Sequence, residues 1–236
     1  MPERTSVVGK TLNASLLTGH YSNSKPMDTK KKELKKILFS HSAGPQYGKG
    51  KGSYDLVKYL KAKLSDEFEV LFPAIERPSA PTYKKYKKMF ASVFNDITEP
   101  IILVGHSLGA STLLKYLSEE EPEILIAGLF LVATPHWKSN MKEFQLREGF
   151  QTSLKSVPSI FLYHSRKDTE VPFEHLGFYE KRIRNATVRK LPGKQHLFSK
   201  GLPELVSDIK TMNHGSEQRR SNRIFGQGEV NQRLDT

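Results

Sequence analysis

The sequence predicts an α/β protein with a doubly wound, mostly parallel sheet of about six strands and helices on both faces. Three observations support this prediction. Short apolar runs alternate along the chain with segments whose apolar residues recur every three or four positions. The runs are nearly continuous in apolar residues, which is typical of parallel strands buried on both faces. The length of 236 residues is enough to bury one ample core.

The predicted strands are six apolar runs, and the predicted helices are the periodic segments that alternate with them. The strands occupy 37–39, 70–72, 101–104, 124–132, 160–163 and 186–191. The first two helices cover 57–64 and 83–97, and further helices follow Ser107, Phe173 and Leu202. Strand–helix alternation of this kind predicts one domain in which helices cover the sheet.

The second predicted helix has an aromatic stripe on one side and lysines at 84, 85, 87 and 88 on the other. Its 3–4 spacing indicates a core face and a solvated face rather than a nucleic-acid interface. The formal net charge is +12, and the first 36 residues contribute +5 of it, from 8 basic and 3 acidic side chains. Because no recognised nucleic-acid motif accompanies this charge, we expect no nucleic-acid partner.

Three regions are predicted along the chain: a flexible basic arm at 1–34, one domain at 35–212 and a disordered polar tail at 213–236. The arm lacks the apolar segment of a secretory signal, and no apolar run approaches the about 20 residues that cross a bilayer. We expect no transmembrane segment and a cytoplasmic location, with an organellar transit peptide as the alternative. The absence of cysteine excludes disulfides, thiolate catalysis and cysteine-ligated zinc.

The strongest local motif is G-H-S-L-G at 105–109. The motif is short, but a buried strand runs directly into it and an amphipathic helix runs directly out of it. This strand–turn–helix context is the one a nucleophile elbow requires, in which a strained turn presents a serine hydroxyl at the carboxyl edge of the sheet. The sequence therefore predicts Ser107 as a nucleophile, and an ordinary helix-capping serine is the alternative.

A serine hydroxyl needs a base and the base needs an acid, and both candidates follow predicted strands. His196 comes after the strand that ends at Leu191, and Asp168 comes after the strand at 160–163. We predict His196 as the general base and Asp168 as the acid that fixes its tautomer, with Glu170 and Glu174 as competing carboxylates. The chain order Ser, Asp, His, each after a different strand, is more specific than any one motif.

The tetrahedral intermediate of acyl transfer also needs hydrogen-bond donors for its oxyanion. The backbone N–H of Leu108, next to the nucleophile, is one predicted donor. The second is expected from the loop after the first strand, with Ala43 or Ser42 as its source.

These segments resemble the α/β-hydrolase family of serine hydrolases over about residues 35–212. The resemblance rests on G-H-S-L-G, on D-T-E-V-P at 168–172 and on the Gln-His loop at 195–196. It implies the same triad of Ser107, Asp168 and His196, an α/β-hydrolase fold and no cofactor. The segment P-A-I-E-R-P-S-A-P at 73–81 and the Tyr-rich helix after it are also similar to the compact retinoblastoma-binding protein 9-like branch.

The chain departs from that family's pattern in two places. Many members carry His-Gly after the first strand, whereas this chain has His41 and Ser42, which puts the second oxyanion donor in question. The insert at 135–158 is short, so we expect a minimal lid. We place His41, His106 and Trp137 around a modest acyl pocket, with ordinary core packing as the alternative.

Competing functions fit the sequence less well. The Gly-rich stretch at 44–52 fails the spacing of a phosphate-binding loop and is interpreted as a mobile, basic loop at the rim of the site. No motif for a metal hydrolase occurs, so no metal is expected. We therefore predict a serine esterase, EC class 3.1.1, that acts on a small acyl substrate. The alternatives are a thioesterase or amidase with the same triad, and a non-catalytic binding or scaffold protein. The sequence does not determine the oligomeric state.

Overall fold

The computed structural model describes residues 34–137, 139–193 and 196–213. The predicted arm and tail lie outside these residues except for Leu34 and Asn213. None of the helices in the described part of the chain is long and apolar enough to cross a bilayer.

Six strands form one sheet, in the order β2-β1-β3-β4-β5-β6, and every pairing between neighbours is parallel. This confirms the predicted fold class. The strands are β1 (Lys35–Ser40), β2 (Phe68–Leu71), β3 (Ile101–His106), β4 (Ile126–Val132), β5 (Ile160–Ser165) and β6 (Thr187–Leu191).

Five α-helices accompany the strands in the described part of the chain. They are α1 (Tyr54–Leu64), α2 (Tyr83–Asn95), α3 (Leu108–Glu119), α4 (Glu174–Arg182) and α5 at 203–213. Each begins close to the position that the apolar spacing predicts, because that spacing places the buried side chains on one stripe of the helix.

The core lies on both faces of the sheet. Along β3, Leu103 points to the face covered by α2, α3 and α4, while Val104 points to the face covered by α1 and α5. The same alternation occurs at Leu129 and Phe130 of β4. Since both faces are covered, every residue of β3 is buried, and this explains why its sequence is a continuous apolar run.

The segment between β4 and β5 contains two short 3-10 helices, Ser139–Phe144 and Phe150–Leu154. Its side chains Phe144, Phe150 and Leu154 are buried in the same apolar cluster as α3. The segment therefore packs onto the core and forms no large separate lid, as predicted.

The chain reverses direction across the sheet between β1 and β3. From β1 it moves outward to β2, and it then returns to the other side of β1 to form β3. In parallel sheets such a switch point opens a crevice at the carboxyl ends of the strands, where ligands bind. Ser107 follows β3 and Ser42 follows β1, so both lie at this crevice.

Candidate active site

Ser107 lies in a strained turn between β3 and α3. Its backbone has φ 52° and ψ −124°, an unfavourable region for a residue with a side chain. The flanking glycines permit the turn. A Cβ on Gly105 would lie 2.5 Å from the Cα of Ala110, and a Cβ on Gly109 would lie 2.3 Å from the carbonyl oxygen of His41. The turn therefore requires glycine at both positions, as an elbow that exposes a nucleophile does.

His196 is within hydrogen-bond distance of the serine hydroxyl. Its Nε2 lies 3.1 Å from the Oγ of Ser107, although the two residues are 89 positions apart. Both residues are mostly buried, with 8% of Ser107 and 9% of His196 exposed. The ring is thus positioned to accept the proton of the hydroxyl at a site with limited access to water.

Asp168 binds the other nitrogen of the same ring. Its carboxylate oxygens lie 2.9 and 3.1 Å from Nδ1 of His196, and its side chain is fully buried. The backbone N–H groups of Glu170 and Val171 each donate to Oδ1 at 2.9 Å. Burial alone would raise the pKa of Asp168, but the bonds from His196 and from these N–H groups outweigh it, so the pKa is lowered and the group stays ionised.

The competing carboxylates of Glu170 and Glu174 are exposed. The structure therefore brings Ser107, Asp168 and His196 together, from the ends of three different strands. Asp168 faces Nδ1, so Nδ1 carries the hydrogen and Nε2 is free to accept one from the serine.

The predicted oxyanion donors lie on the segments that follow the neighbouring strands β3 and β1. Leu108 is the first residue of α3, where N–H groups have no partner within the helix. In the loop after β1, the N–H of Ser42 already donates to the Oγ of Ser53 at 3.0 Å. The N–H of Ala43 has no acceptor among the described residues. Of the two predicted sources in this loop, the geometry favours Ala43 over Ser42.

The structure places two of the predicted pocket residues in the core beneath the site. His41 is 1% exposed, and its Nε2 donates to the carbonyl of Gly44 at 3.0 Å. His106 is completely buried, and both of its ring nitrogens have partners within the protein. Both side chains therefore offer little or no surface to a ligand in this structure.

Trp137 is half-buried and remains a candidate for the pocket wall. Its indole N–H donates to the Oγ of Ser111 at 2.8 Å. Ser111 lies four residues after Ser107, one turn further along α3. The ring of Phe144 packs against the indole at 5.9 Å. The indole is therefore fixed beside the first turn of the helix that begins at the nucleophile.

Further buried groups support the site. His164, the fifth residue of β5, donates from Nε2 to the carbonyl of Val171 at 3.0 Å and lies 3.7 Å from Asp168. It holds the loop that carries Asp168. Burial lowers the pKa of His164, in spite of the nearby carboxylate, and burial likewise lowers the pKa of His41. Ser53 is also fully buried beside the loop after β1.

We compared this cluster with other candidate sites in the described part of the protein. Within the described residues, no group of three or more histidine or carboxylate side chains is arranged to hold a metal ion. Two grooves of about 420 and 510 Å³ lie along α2, where Pro73 and Val93 line both of them. Neither groove is lined by Ser107, Asp168 or His196. Ser107, His196 and Asp168 combine a hydroxyl, an imidazole and a carboxylate in bonding contact, and neither groove offers such a set.

The sequence model of a family described as serine hydrolase matches residues 58–201. A search of curated protein sequences found no match.

Solved structures with a similar fold include the ydeN gene product from B. subtilis, with a TM-score of 0.62 and 18% identity over 77% of this chain and 100% of that chain. The ferulic acid-bound Est1E from Butyrivibrio proteoclasticus has a TM-score of 0.58 and 14% identity, over 80% of this chain and 91% of that one. A third is the 2-hydroxy-6-oxo-6-phenylhexa-2,4-dienoate hydrolase from Rhodococcus sp. strain RHA1, with a TM-score of 0.58 and 13% identity, over 78% of this chain and 91% of that one. At these identities the likeness shows the fold alone.

Proposed function

Because this chain belongs to the serine hydrolase family, we propose that it cleaves carboxylic esters or related acyl substrates through an acyl-enzyme intermediate on Ser107. The observation that carries the proposal is the continuous contact from Ser107 through His196 to Asp168, at 3.1 and 2.9 Å. Serine is a weak nucleophile without a neighbouring base, and this contact supplies one.

In the acylation step, Ser107 Oγ attacks the carbonyl carbon while Nε2 of His196 takes its proton. The carbonyl π electrons move to the oxygen, which becomes an oxyanion. The N–H groups of Leu108 and Ala43 donate to it, and the N-terminus of α3 stabilises its negative charge. Asp168 stabilises the imidazolium that forms and does not itself take up the proton.

Collapse of the intermediate breaks the bond to the leaving group. The imidazolium of His196 gives its proton to the departing alkoxide, so an alcohol is released and the acyl group stays on Ser107. A water molecule then attacks the acyl-enzyme, with His196 again acting as the base. The second collapse returns the proton to Ser107 and releases the acid, so the protein is unchanged after each turnover.

Trp137 is proposed as one wall of the acyl pocket. Its indole is held by Ser111 on the first turns of α3, and the residue is only half-buried, so it retains surface for contact with a substrate. The small exposed fractions of Ser107 and His196 favour a slender acyl group over a bulky one.

The same three side chains would also cleave thioesters and amides, since the three substrates share the tetrahedral intermediate. Esters are the first proposal because an alkoxide leaves more readily than an amide nitrogen. A thioesterase is the second candidate.

A fluorophosphonate probe tests whether Ser107 is an activated nucleophile. We expect the wild-type protein to gain the mass of one phosphonyl group and Ser107→Ala to gain none. Ser118→Ala is a matched control, because Ser118 is a buried serine on α3 whose hydroxyl donates to the carbonyl of Lys115. This control should be labelled like the wild type. An unlabelled wild-type protein would overturn the proposal in favour of a binding protein on a hydrolase fold.

The substrate class is tested by p-nitrophenyl esters of graded chain length, in parallel with the corresponding thioesters and anilides. We expect hydrolysis of short and medium esters and a loss of at least about 10³-fold in kcat in Ser107→Ala. Faster cleavage of the thioesters at equal chain length would replace the esterase assignment with a thioesterase.

A further inference from the structure

His106, the residue just before the nucleophile, is completely buried and hydrogen bonded at both ring nitrogens. Its Nε2 lies 2.8 Å from the main-chain carbonyl oxygen of His196. Its Nδ1 lies 2.9 Å from the Oγ of Ser53. A carbonyl oxygen can only accept, so Nε2 carries the hydrogen, Nδ1 accepts, and the hydroxyl of Ser53 is the donor.

Ser53 continues this contact to the loop after β1. The Oγ of Ser53 accepts the backbone N–H of Ser42 at 3.0 Å and also lies 3.1 Å from the Oγ of Ser42. A buried chain of hydrogen bonds therefore runs from Ser42 through Ser53 and His106 to the main chain of His196. One end lies next to Ala43, the proposed oxyanion donor, and the other end is the backbone of the base.

We propose that His106 is a positioning residue that fixes the base loop and the oxyanion loop to each other across the nucleophile. The inference rests on the proposed function, since it concerns how that triad is held. The main chain of His196 lies on a loop after the edge strand β6, outside the regular hydrogen bonding of the sheet. The bond from His106 ties this loop to the central strand β3, and the bond through Ser53 ties the oxyanion loop to the same ring.

The ring of His106 suits this role because it stays neutral. Burial, followed by the nearby His196, lowers the pKa of His106 to about 3. Its neighbours are the ring of His196 at 5.2 Å and the ring of Phe198 at 5.9 Å. When His196 takes the proton of Ser107, an uncharged neighbour adds no repulsion, and the two hydrogen bonds of His106 keep the same direction.

Two substitutions separate the two hydrogen bonds of His106. An asparagine in His106→Asn can accept from Ser53 near the position of Nδ1, but it is too short to donate to the carbonyl of His196. A glutamine in His106→Gln can reach that carbonyl with its amide N–H and loses the acceptor for Ser53. Ser53→Ala removes the hydroxyl in the middle of the hydrogen-bond chain and leaves the ring of His106 in place. This smaller change keeps the proposal testable if the histidine variants do not fold.

The measurements are kcat and KM for p-nitrophenyl acetate, the rate of fluorophosphonate labelling, and the melting temperature. We expect His106→Asn to lower kcat about 10²-fold, because a misplacement of about 1 Å at a catalytic group has that size of effect. His106→Gln and Ser53→Ala should each lower kcat by about 10-fold, because each loosens the loop that carries the proposed oxyanion donor Ala43. KM should change little in all three, because His106 and Ser53 do not touch the substrate.

Ser118→Ala is the control for a merely structural effect, since it also removes a buried hydroxyl. If Ser53→Ala and Ser118→Ala lower the melting temperature alike but only Ser53→Ala lowers kcat, the positioning role is supported. Wild-type kcat and labelling rate in Ser53→Ala, or in a folded His106→Asn, would overturn the positioning role and leave the proposed function intact. A wild-type protein that neither labels nor hydrolyses would overturn both.

Discussion

Two hydrogen-bonded clusters in this protein are each built around an aspartate, and they use it differently. At the carboxyl edge of the sheet, Asp168 accepts from Nδ1 of His196 at 2.9 Å. On the face covered by α5, Asp208 accepts from the hydroxyl of Tyr163 at 2.7 Å and from two nitrogens of Arg189 at 2.6 and 3.0 Å.

The partner of each carboxylate accounts for the difference. Arg189 is charged at every physiological pH, and its bidentate contact with Asp208 ties β6 to α5 permanently. In the proposed reaction His196 takes a proton and gives it up again, so the charge of its pair with Asp168 changes during each turnover. Because Arg189 keeps its charge, Asp208 has a structural role. Because an imidazole can exchange a proton, Asp168 can support the proposed proton transfer.

The largest effect that tests this comparison is expected from Asp168→Asn. The asparagine oxygen can still accept the N–H groups of Glu170 and Val171, so the loop should keep its shape. Its amide nitrogen would face Nδ1 of His196 and force the hydrogen onto Nε2, which then cannot accept from Ser107. We expect kcat to fall about 10⁴-fold with a small change in stability, measured by ester hydrolysis and thermal unfolding.

Glu174→Gln is the matched control for that experiment, because Glu174 is an exposed carboxylate in the segment just after Asp168. Its kcat should equal that of the wild type. A kcat equal to that of the wild type in Asp168→Asn, or a large loss of kcat in Glu174→Gln, would show that another carboxylate supports the base.

The second effect concerns acid, which should destabilise the buried histidines around Ser107 and Asp168. Burial lowers the pKa of His106 to about 3, and it also lowers the pKa values of His41 and His164. Each histidine then binds a proton more readily when the chain is unfolded, so its contribution is complete above about pH 6.5 and is lost as the pH falls below that value. We expect the free energy of unfolding to decrease below pH 6.5 by up to about 1.4 kcal/mol per pH unit for each of them.

Urea unfolding at pH 7.5, 6.5, 5.5 and 4.5 measures this slope. The His106→Asn variant should show a shallower decrease than the wild type, because it lacks one of the three groups. A free energy of unfolding that stays constant from pH 6.5 to 4.5 would contradict the neutral, buried state of these rings.

The third and smallest effect is on the stability that the Asp208 cluster provides. Asp208→Ala leaves the buried hydroxyl of Tyr163 without its acceptor, and we expect a loss of about 2 kcal/mol in the free energy of unfolding. The value of kcat at 25 °C should not change, since the proposed reaction does not use this cluster. Urea unfolding and ester hydrolysis on the same preparations test both statements.

Lys190→Ala is the control for Asp208→Ala. It breaks an exposed ion pair with Glu180 at 3.0 Å, in which both side chains are 40% exposed. Such pairs contribute little, so a change within about 0.5 kcal/mol is expected. If Lys190→Ala costs as much as Asp208→Ala, the stabilisation comes from charge pairing in general rather than from the buried contact with Tyr163.

Much of the fold follows from local patterns in the sequence. The run at 101–104 predicts a buried strand, and the strand extends only two residues further, to His106. The glycines at 105 and 109 indicate the turn at Ser107, because a side chain at either position would collide with the backbone of a neighbouring segment. The spacing of apolar residues and the glycines of a tight turn are visible within a short segment, so a single sequence reveals them.

The support of the site could not be predicted in this way. Ser53 binds Ser42 and His106 only because the loop at 44–52 returns to the end of β1, and no local pattern encodes that return. The sequence shows that His106 lies inside a motif, but it does not show that the ring is buried and bonded at both nitrogens. These contacts join distant parts of the chain, and their geometry depends on the packing of the whole sheet.

The order in which the strands join the sheet has a consequence for biosynthesis. From β3 onward, each new strand adds to the outside of the previous one, and His196 follows β6, the last of them. While the protein emerges from the ribosome, the elbow and the oxyanion loop are translated long before the base. In the proposed reaction, a nascent chain therefore gains its base only when the segment after β6 docks.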